Sequence, residues 1–246
     1  MSHFFIDSSQ VSDGLLTIVG EDVNHMKNVL RMKAGEHFSA ADENGMCYEC
    51  AVEDLEKHQV TAKVLDKKMG ETELSSKIYL FQGLPKSDKM ELIIQKAVEL
   101  GAYEVIPVAT KRAIVKLDAK KEASKLKRWQ SIAEGAAKQS GRMRIPKIQE
   151  VKTYREALEM AKSLDVNVIP YECAEGMNGT RKIFEGIRPG MSVGIFIGPE
   201  GGWEESEVAM AQELGIQPVT LGRRILRTET AGLTTLSILM YLLEGE

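Results

Sequence analysis

Two short segments carry residues whose types and spacing could do chemistry. Residues 197–203 (IGPEGGW) follow the apolar run VGIF and hold three glycines, a proline and the carboxylate Glu200. Glycines let backbone N–H groups approach a ligand closely, and the helix expected near residue 204 would add its positive end. Residues 221–232 (LGRRILRTETAG) place Arg223, Arg224 and Arg227 within five positions. This combination indicates a site for a polar or charged ligand.

Neither segment matches a common nucleotide fingerprint. The spacing G-P-E-G-G is not G-x-G-x-x-G, and the sequence has no Walker-type G-K-[ST]. A plain turn before a helix stays open as the alternative for residues 197–203. Solvated arginines stay open as the alternative for the second segment, where Thr228 could cap the final helix.

Metal and redox chemistry find little support. Cys47 and Cys50 form a C-x-x-C (CYEC), but a zinc site wants four ligands and no second Cys/His pair lies at ligand spacing nearby. We interpret both as ordinary thiols, and His25, His37 and His58 as structural or surface residues. No metal is predicted.

The charge is unevenly distributed along the chain. The 246 residues carry a net charge of −4, yet residues 111–147 hold 12 Lys/Arg against 3 Asp/Glu, a local +9 that leaves −13 elsewhere. Such a stretch is a candidate footprint for phosphates, or else the solvated face of a helix. With no apolar run of 18 residues and no secretory signal at MSHFFIDSSQ, we expect a cytoplasmic protein without a membrane span.

The pattern of elements changes near residue 70. Residues 1–70 read as short strands interrupted by one helical piece (EDVNHMKNVLRM), which predicts a small, mostly antiparallel β-barrel. Residues 67–76 read as a linker. From residue 77 strands alternate with longer helices, which predicts an α/β domain with a parallel sheet covered on both faces.

Two of the predicted helices bear on the site. In the helix SDKMELIIQKAVELG, Asp88 and Glu91 resemble a capping box, and Gly101 is placed to end the helix. The final helix, near 229–243, is apolar on most faces and so is expected to be buried, including against another subunit. Ligands of open α/β sheets bind beyond the carboxyl ends of the strands, where LFQGLPKSDK, FIGPEGGW and VTLGRRILRTETAG all lie.

Four separated motifs then point to one family. QGLPKSDKMELIIQKAVELG, SGRMRIP, IGPEGGW and LGRRILRTETA resemble, in order, the RsmE-type 16S rRNA (uracil-N3)-methyltransferases of the SPOUT superfamily, and HMKNVLRMKAGE resembles their N-terminal domain. The resemblance implies a PUA-like β-barrel RNA-binding domain over 1–70. It implies a SPOUT methyltransferase domain with a C-terminal deep trefoil knot over 71–246, and a homodimer. The implied product is 3-methyluridine at uridine 1498 of 16S rRNA in the small ribosomal subunit.

The resemblance also implies site residues. A bent S-adenosylmethionine would lie against backbone at Ile197, Gly198, Pro199, Gly201, Gly202, Leu221, Gly222, Ile225 and Leu226. Uridine N3 carries a proton, so a base or a positive charge must assist it. Arg227 is the candidate for stabilising the uracil anion. Glu229 and Glu200 are the candidate bases or loop orienters, with an ion pair to the nearby arginines as the alternative.

RNA contacts are expected from five cations: Arg31, Lys86, Arg112, Arg142 and Arg144. His3 stands where the family's opening motif has an arginine, which would alter an RNA contact there. Trp129 could stack a base, although core packing is favoured. Two other functions stay open: a SPOUT methyltransferase of the ribose 2′-OH, and a non-catalytic rRNA-binding assembly factor.

Overall fold

The computed structural model describes residues 2–172, 174 and 176–245, and the chain divides into two compact units. The N-terminal unit comprises Met1–Glu73 together with Ala137–Ile145, and the C-terminal unit comprises Leu74–Ala136 and Pro146–Glu246. The first division falls close to the expected boundary at residue 70. The grouping of residues 137–145 with the N-terminal unit is a long-range arrangement that no local pattern in the sequence announces.

The N-terminal unit is built on a six-stranded sheet. Its strands are β1 (Ser2–Phe5), β2 (Val11–Ser12), β3 (Leu15–Val19), β4 (His37–Ala41), β5 (Met46–Leu55) and β6 (Gln59–Met69). The order is β1-β4-β5-β6-β3-β2, with β1 and β4 parallel and every other pair antiparallel. The mostly antiparallel arrangement predicted for this region is confirmed. Side chains such as Phe4, Leu16 and Phe38 form its core.

The predicted helical piece of this unit has two parts. Helix α1 (Glu21–Asn24) runs into a π-helical turn at His25–Val29, where the Leu30 amide donates to the His25 carbonyl at 2.9 Å. Met26 is fully buried beneath this turn. Arg31 follows with a φ of +53°, a left-handed conformation that is uncommon for a non-glycine residue.

The C-terminal unit is built on a seven-stranded parallel sheet, as predicted. Its strands are β7 (Lys77–Gly83), β8 (Glu104–Ala109), β9 (Lys147–Ile148), β10 (Lys152–Thr153), β11 (Val166–Pro170), β12 (Ser192–Ile197) and β13 (Gln217–Val219). The order is β10-β8-β7-β12-β11-β13, with β9 paired to β8. Its helices are α2 (Lys89–Glu99), α3 (Ala119–Ser140), α4 (Tyr154–Ala161), α5 (Met177–Gly186), α6 (Glu205–Glu213) and α7 (Thr228–Leu243). Residues 137–140 at the end of α3 are grouped with the N-terminal unit. No helix among the described residues is both long and apolar enough to span a bilayer.

Helices cover both faces of this sheet. Phe81 and Phe196 stack with ring centroids 4.3 Å apart and share a core with residues of α4 and α6. The neighbouring Leu80 and Ile197 point the other way, because side chains alternate along a strand, and both lie against Gly232 of α7. Helix α7 in turn packs against α2. The predicted coverage of both faces is therefore confirmed.

Helix α2 matches its prediction except at its cap. The five residues of the predicted apolar stripe are all buried, and Gly101 follows the helix end with a φ of +86°. Asp88 occupies the N-cap position, but its side chain makes no capping hydrogen bond, so the predicted capping box is wrong. Glu91 instead accepts from the Arg128 guanidinium at 2.6 and 2.7 Å, because α3 brings that cation alongside.

Helix α5 was not predicted. Its sequence, MNGTRKIFEG, holds two glycines and one asparagine, residue types that weaken a helical signal. Thr180 and Phe184 are buried and lie one turn apart on its inner face, so tertiary packing stabilises a helix that local propensity disfavours.

Candidate active site

The carboxyl ends of the central strands meet around one cavity. Ile197 at the end of β12 pairs with Gln82 at the end of β7, which puts the segments after both strands at the same edge of the sheet. A cavity of about 420 Å³ opens there. It is lined by Lys89, Pro170, Glu172, the whole of 197–203, and Ile225, Leu226, Arg227, Thr228 and Ala231.

A smaller recess of about 90 Å³ adjoins this cavity. It shares Pro170, Glu172, Ile225 and Leu226 with the larger cavity and adds Leu221 and Gly222. All nine residues predicted to surround a cofactor therefore line one of the two recesses. The structure brings these residues together, and their role in binding a cofactor stays a prediction.

The turn after β12 depends on its glycines. Gly202 has a φ of +67°, which L side chains rarely adopt, and its amide donates to the Pro199 carbonyl at 2.9 Å. Across the sheet, a Cβ on Gly83 would lie only 2.8 Å from both Cδ and N of Pro199. The two strand ends can pack this closely only because position 83 has no side chain.

Glu200 is fixed by donors from α2 and the segment before it. Its carboxylate accepts from the Lys86 amide at 3.1 and 3.2 Å and lies 3.2 Å from the Lys89 ammonium. Burial acts to raise the pKa of Glu200, but the hydrogen bonds from its own amide, from Lys89 and from Lys86 outweigh it and lower the pKa. A carboxylate held in this way is a weaker base and a good anchor for the loop.

Lys89 joins the two candidate carboxylates. Its ammonium lies 3.2 Å from Glu200 and 3.2 Å from Glu229, and both contacts raise its pKa, the hydrogen bond with Glu200 being the largest single cause. The expected alternative paired these carboxylates with the arginines of 223–227, and the structure instead pairs both with Lys89. Sequence reasoning missed this residue, although its place at the start of a helix after a strand end was visible.

Arg227 stands at the rim of the cavity. It occupies the N-cap position of α7 with extended φ and ψ of −66° and 154°, and its side chain is exposed. Within the described residues, no carboxylate lies at ion-pair distance from its guanidinium. The predicted cap, Thr228, is instead the first helical residue, and its hydroxyl donates to the Gly198 carbonyl at 2.6 Å. The capping prediction for Thr228 is therefore wrong.

Of the five predicted RNA contacts, two lie beside the cavity. Lys86 is exposed, and the exposed Arg112 donates from Nη1 to the Gly201 carbonyl at 3.1 Å. In the N-terminal unit, Arg31 is exposed and Arg144 is half-buried beside a cleft.

Arg142 is placed differently from the prediction. Its side chain is 5% exposed, and its Nε and Nη2 donate to the Glu73 carboxylate. His3 is also buried, with Nε2 donating to the Arg142 carbonyl at 3.0 Å and Nδ1 lying 2.8 Å from the Ser39 hydroxyl. Both residues serve packing of the N-terminal unit, because neither side chain presents a surface to a large ligand.

The other residues singled out earlier have structural surroundings. Trp129 is 3% exposed, which agrees with core packing. Cys50 is fully buried, and burial together with the neighbouring Cys47 raises its pKa to about 12, so its thiolate is disfavoured. Cys173 lies outside the described residues. Within those residues no group of three His, Cys, Asp or Glu side chains could hold a metal ion.

Comparison with known proteins assigns the class. Residues 72–240 match the family model of an RNA methyltransferase domain, and residues 18–65 match that of an RNA methyltransferase PUA domain. The fold is thus that of an α/β RNA methyltransferase with an N-terminal PUA-like domain.

The relatives narrow the class to one family. The chain is 37% identical to Ribosomal RNA small subunit methyltransferase E of Bacillus subtilis (strain 168) over 100% of both chains, and 36% identical to that of Mesomycoplasma hyopneumoniae (strain 232) over 96% of this chain and 98% of the relative. The chain therefore belongs to the ribosomal RNA small subunit methyltransferase E family.

Two solved structures are similar over almost the whole chain. One is ribosomal RNA small subunit methyltransferase E from Neisseria gonorrhoeae bound to S-adenosyl methionine, 35% identical with a TM-score of 0.85 and 98% of each chain covered. The other is Lpg2936 from Legionella pneumophila in complex with the bound cofactor SAM, 30% identical with a TM-score of 0.86, covering 97% of this chain and 96% of that one.

Proposed function

We propose that this protein transfers a methyl group from S-adenosylmethionine to N3 of a uridine in 16S rRNA of the small ribosomal subunit. The observation that carries the proposal is the convergence of the nine predicted cofactor residues on two adjoining recesses, with Arg227 at their rim. Family membership supports the same reaction. The implied target is uridine 1498.

The recesses suit S-adenosylmethionine, which supplies the methyl group. Pro170, Ile225 and Leu226 offer apolar surface for a flat adenine. Trp203 lines the cavity, and its buried indole N–H has no hydrogen-bond partner within the described residues. The Glu172 carboxylate, on the wall shared by both recesses, complements the positive charge of this cofactor.

The substrate chemistry explains the cations at the cavity. Neutral uridine is a poor nucleophile at N3, so the reaction needs the N3 proton removed and the resulting anion stabilised. Arg227 and Lys89 both line the cavity, and fixed positive charge in a partly enclosed site stabilises developing negative charge. We assign Arg227 to a uracil carbonyl. Lys89, anchored by two carboxylates, would support the same anion.

The two carboxylates receive different roles. Glu200 is the loop orienter, because its lowered pKa and its bonds to Lys86 and Lys89 suit an anchor more than a base. Glu229, two positions after Arg227 and bridged to the cavity by Lys89, is the proton acceptor that we propose. Exchange of Glu229 for Gln should then lower kcat with little change in cofactor affinity.

We expect cations of both units to contact the RNA. We propose phosphate contacts for Arg31, Lys86, Arg112 and Arg144, and an RNA-binding role for the PUA-like unit. Arg142 is left out because it is buried against Glu73. The target base would have to leave its stack to reach the cavity.

We further propose a closed β-barrel for the PUA-like sheet and a trefoil knot for the C-terminal segment. The knot is supported by the path of the chain, since Thr228 returns from the sheet edge at β13 to bond with Gln82 and Gly198 near the sheet centre.

A homodimer is supported by Tyr241, which is 82% exposed on the apolar helix α7. We propose that the reaction takes place in the cytoplasm.

The test is mass spectrometry of nucleosides from treated ribosomal subunits. Small subunits from a strain lacking this protein are incubated with S-adenosylmethionine and either the wild-type protein, Arg227→Ala or the matched control Arg155→Ala, an exposed arginine on α4. We expect 3-methyluridine at one site with wild type and control, and its loss with Arg227→Ala.

The outcomes separate the alternatives. A 2′-O-methylated nucleoside would replace the proposed reaction with ribose methylation. Cofactor binding without any methylated product would overturn the proposed substrate, and absence of cofactor binding would favour a non-catalytic rRNA-binding assembly factor. Product formation that survives Arg227→Ala would keep the reaction and remove the role assigned to Arg227.

A further inference from the structure

A buried amide connects three segments behind the cavity wall. Gln82 is fully buried, and its Nε2 donates to the Thr228 hydroxyl at 2.9 Å and to the Gly83 carbonyl at 2.9 Å. The Thr228 hydroxyl in turn donates a hydrogen bond to the Gly198 carbonyl at 2.6 Å. The result is a short chain of hydrogen bonds from the end of β7, through the start of α7, to the end of β12.

The chemistry of the partners sets the direction of this chain. A backbone carbonyl can only accept, so the Thr228 hydroxyl must donate to Gly198 and is left to accept from Gln82. The Gly83 carbonyl likewise requires the amide nitrogen of Gln82 on that side. No other orientation of the Gln82 amide satisfies both acceptors.

The arrangement leaves one polar atom unsatisfied. Gln82 Oε1 is buried and has no hydrogen-bond partner within the described residues, and the nearby helix position is Gly232, whose added Cβ would lie 3.6 Å away. An unsatisfied buried carbonyl costs about 1–3 kcal/mol. An apolar residue of the same length would avoid that cost but would also lose the hydrogen bonds to Thr228 and to the Gly83 carbonyl.

The two ends of the chain touch the proposed chemistry. Gly198 lines the cavity and belongs to the predicted cofactor wall, and Thr228 directly follows Arg227. Fixing the Gly198 peptide sets where the turn 198–202 lies, and fixing Thr228 sets the direction in which Arg227 leaves α7. Errors of about 1 Å in such positions can cost about 100-fold in rate.

We infer that Gln82 and Thr228 are positioning residues for the proposed methyl transfer, coupling the cofactor wall at Gly198 to Arg227. This inference rests on the proposed function. Neither residue is required to touch the reacting atoms. Both side chains are neutral, so these hydrogen bonds hold their geometry without an ionised group at the buried end of β7.

The experiment compares variants that remove or keep the hydrogen bonds. Thr228→Val keeps the shape and removes the hydroxyl, Thr228→Ser keeps the hydroxyl, and Gln82→Met removes the amide at similar length. Thr235→Val is the matched control, because Thr235 is fully buried on the same helix but its hydroxyl bonds within that helix, to the Ala231 carbonyl at 2.9 Å. Each variant is assayed for S-adenosylmethionine Kd by calorimetry, for kcat and KM, and for unfolding in urea.

We expect Thr228→Val to raise the cofactor Kd about tenfold, the loss typical of one hydrogen bond, and to lower kcat as well. The cofactor Kd of Thr228→Ser should stay within about twofold of the wild-type value. Gln82→Met should weaken binding in the same sense, and the double variant with Thr228→Val should lose no more than the worse single one, because both act through one chain. Thr235→Val should lower only stability.

Three results would overturn the inference alone. These are wild-type Kd and kcat in Thr228→Val, an equal loss of function in Thr235→Val, or losses in the double variant that simply multiply. Gln82→Met decides the question if Thr228→Val does not fold. A wild-type protein that neither binds S-adenosylmethionine nor methylates RNA would instead overturn the proposed function, and this inference with it.

Discussion

The backbone amide of Lys86 donates to both carboxylate oxygens of Glu200, at 3.1 and 3.2 Å, although the two residues are 114 positions apart. This contact ties the loop after β7 to the loop after β12. It makes Glu200 a structural link between two of the three segments that form the cavity.

Replacing Glu200 with Gln should weaken cofactor binding. The amide can accept only one such hydrogen bond well and no longer attracts the Lys89 ammonium, so we expect the Kd for S-adenosylmethionine to rise about three- to tenfold, as for the loss of one modest interaction. Calorimetric titration measures this change. Glu205→Gln, an exposed residue in the first turn of α6, is the control. Equal affinities of Glu200→Gln and wild type would remove the anchoring role.

Gly83→Ala should disturb the same loops without changing any charge. The new Cβ would meet Pro199 at 2.8 Å, closer than real Cβ contacts, so the turn after β12 must move. We expect loss of measurable cofactor binding and a destabilisation of about 1–3 kcal/mol from overpacking. Gly186→Ala, at a position with open space, should leave both quantities near wild type. Retained binding in Gly83→Ala would show that the loop can shift without harm.

His3 should make stability depend on pH. Burial lowers the pKa of the His3 imidazole and outweighs the hydrogen bond to the Arg142 carbonyl, which acts to raise it. The folded state therefore disfavours the protonated ring, so stability present above pH 6.5 should be lost as the pH falls below it, by at most about 1.4 kcal/mol per pH unit. Urea unfolding from pH 7.5 to about pH 5 measures this slope.

His3→Gln should flatten that slope, and the exposed control His58→Gln should not. The test isolates His3 because both variants lose one imidazole ring and only His3→Gln loses a buried one. A slope that is unchanged in His3→Gln would assign the pH dependence elsewhere in the protein.

The Arg142–Glu73 pair should contribute to stability and should not contribute directly to RNA binding. Glu73→Gln leaves the buried guanidinium without its counter-charge, and we expect a loss of about 3 kcal/mol, the lower end of the range for buried pairs, since the Glu73 side chain is 24% exposed. Urea unfolding measures it, with the exposed Glu71→Gln as control. A change below about 0.5 kcal/mol, typical of surface positions, would contradict this reading.

Arg31 should act in the opposite way. Arg31→Gln removes an exposed cation, so we expect weaker RNA binding and a salt dependence whose slope falls by about 0.7–1, the value for one phosphate contact. Filter binding to 16S rRNA fragments at several salt concentrations gives this slope. The exposed control Lys57→Gln should keep the wild-type slope. An unchanged slope in Arg31→Gln would remove that contact from the proposal.

Much of the site was readable because its signals are local. Three glycines and a proline in 197–203 and three arginines in 223–227 are signals confined to a few positions, and they predict a binding loop without reference to the fold. The rule that parallel strands present their carboxyl ends at one edge then brings such loops together. Lys89 was not predicted as a site residue, because a single lysine at the start of a helix cannot be distinguished from a solvated one by sequence. Only the fold places two carboxylates from remote segments beside it.

Sequence by itself determined the two patterns of elements, the parallel sheet and the apolar stripe of α2, since periodicity and turn residues act over a few positions. Only the tertiary structure decided that Glu200 and Glu229 share Lys89, that Arg142 is buried against Glu73, and that Gln82 bonds to Thr228. These contacts join residues from 69 to 146 positions apart. Their energies depend on distance and burial in the folded chain, and neither quantity is encoded in any local pattern.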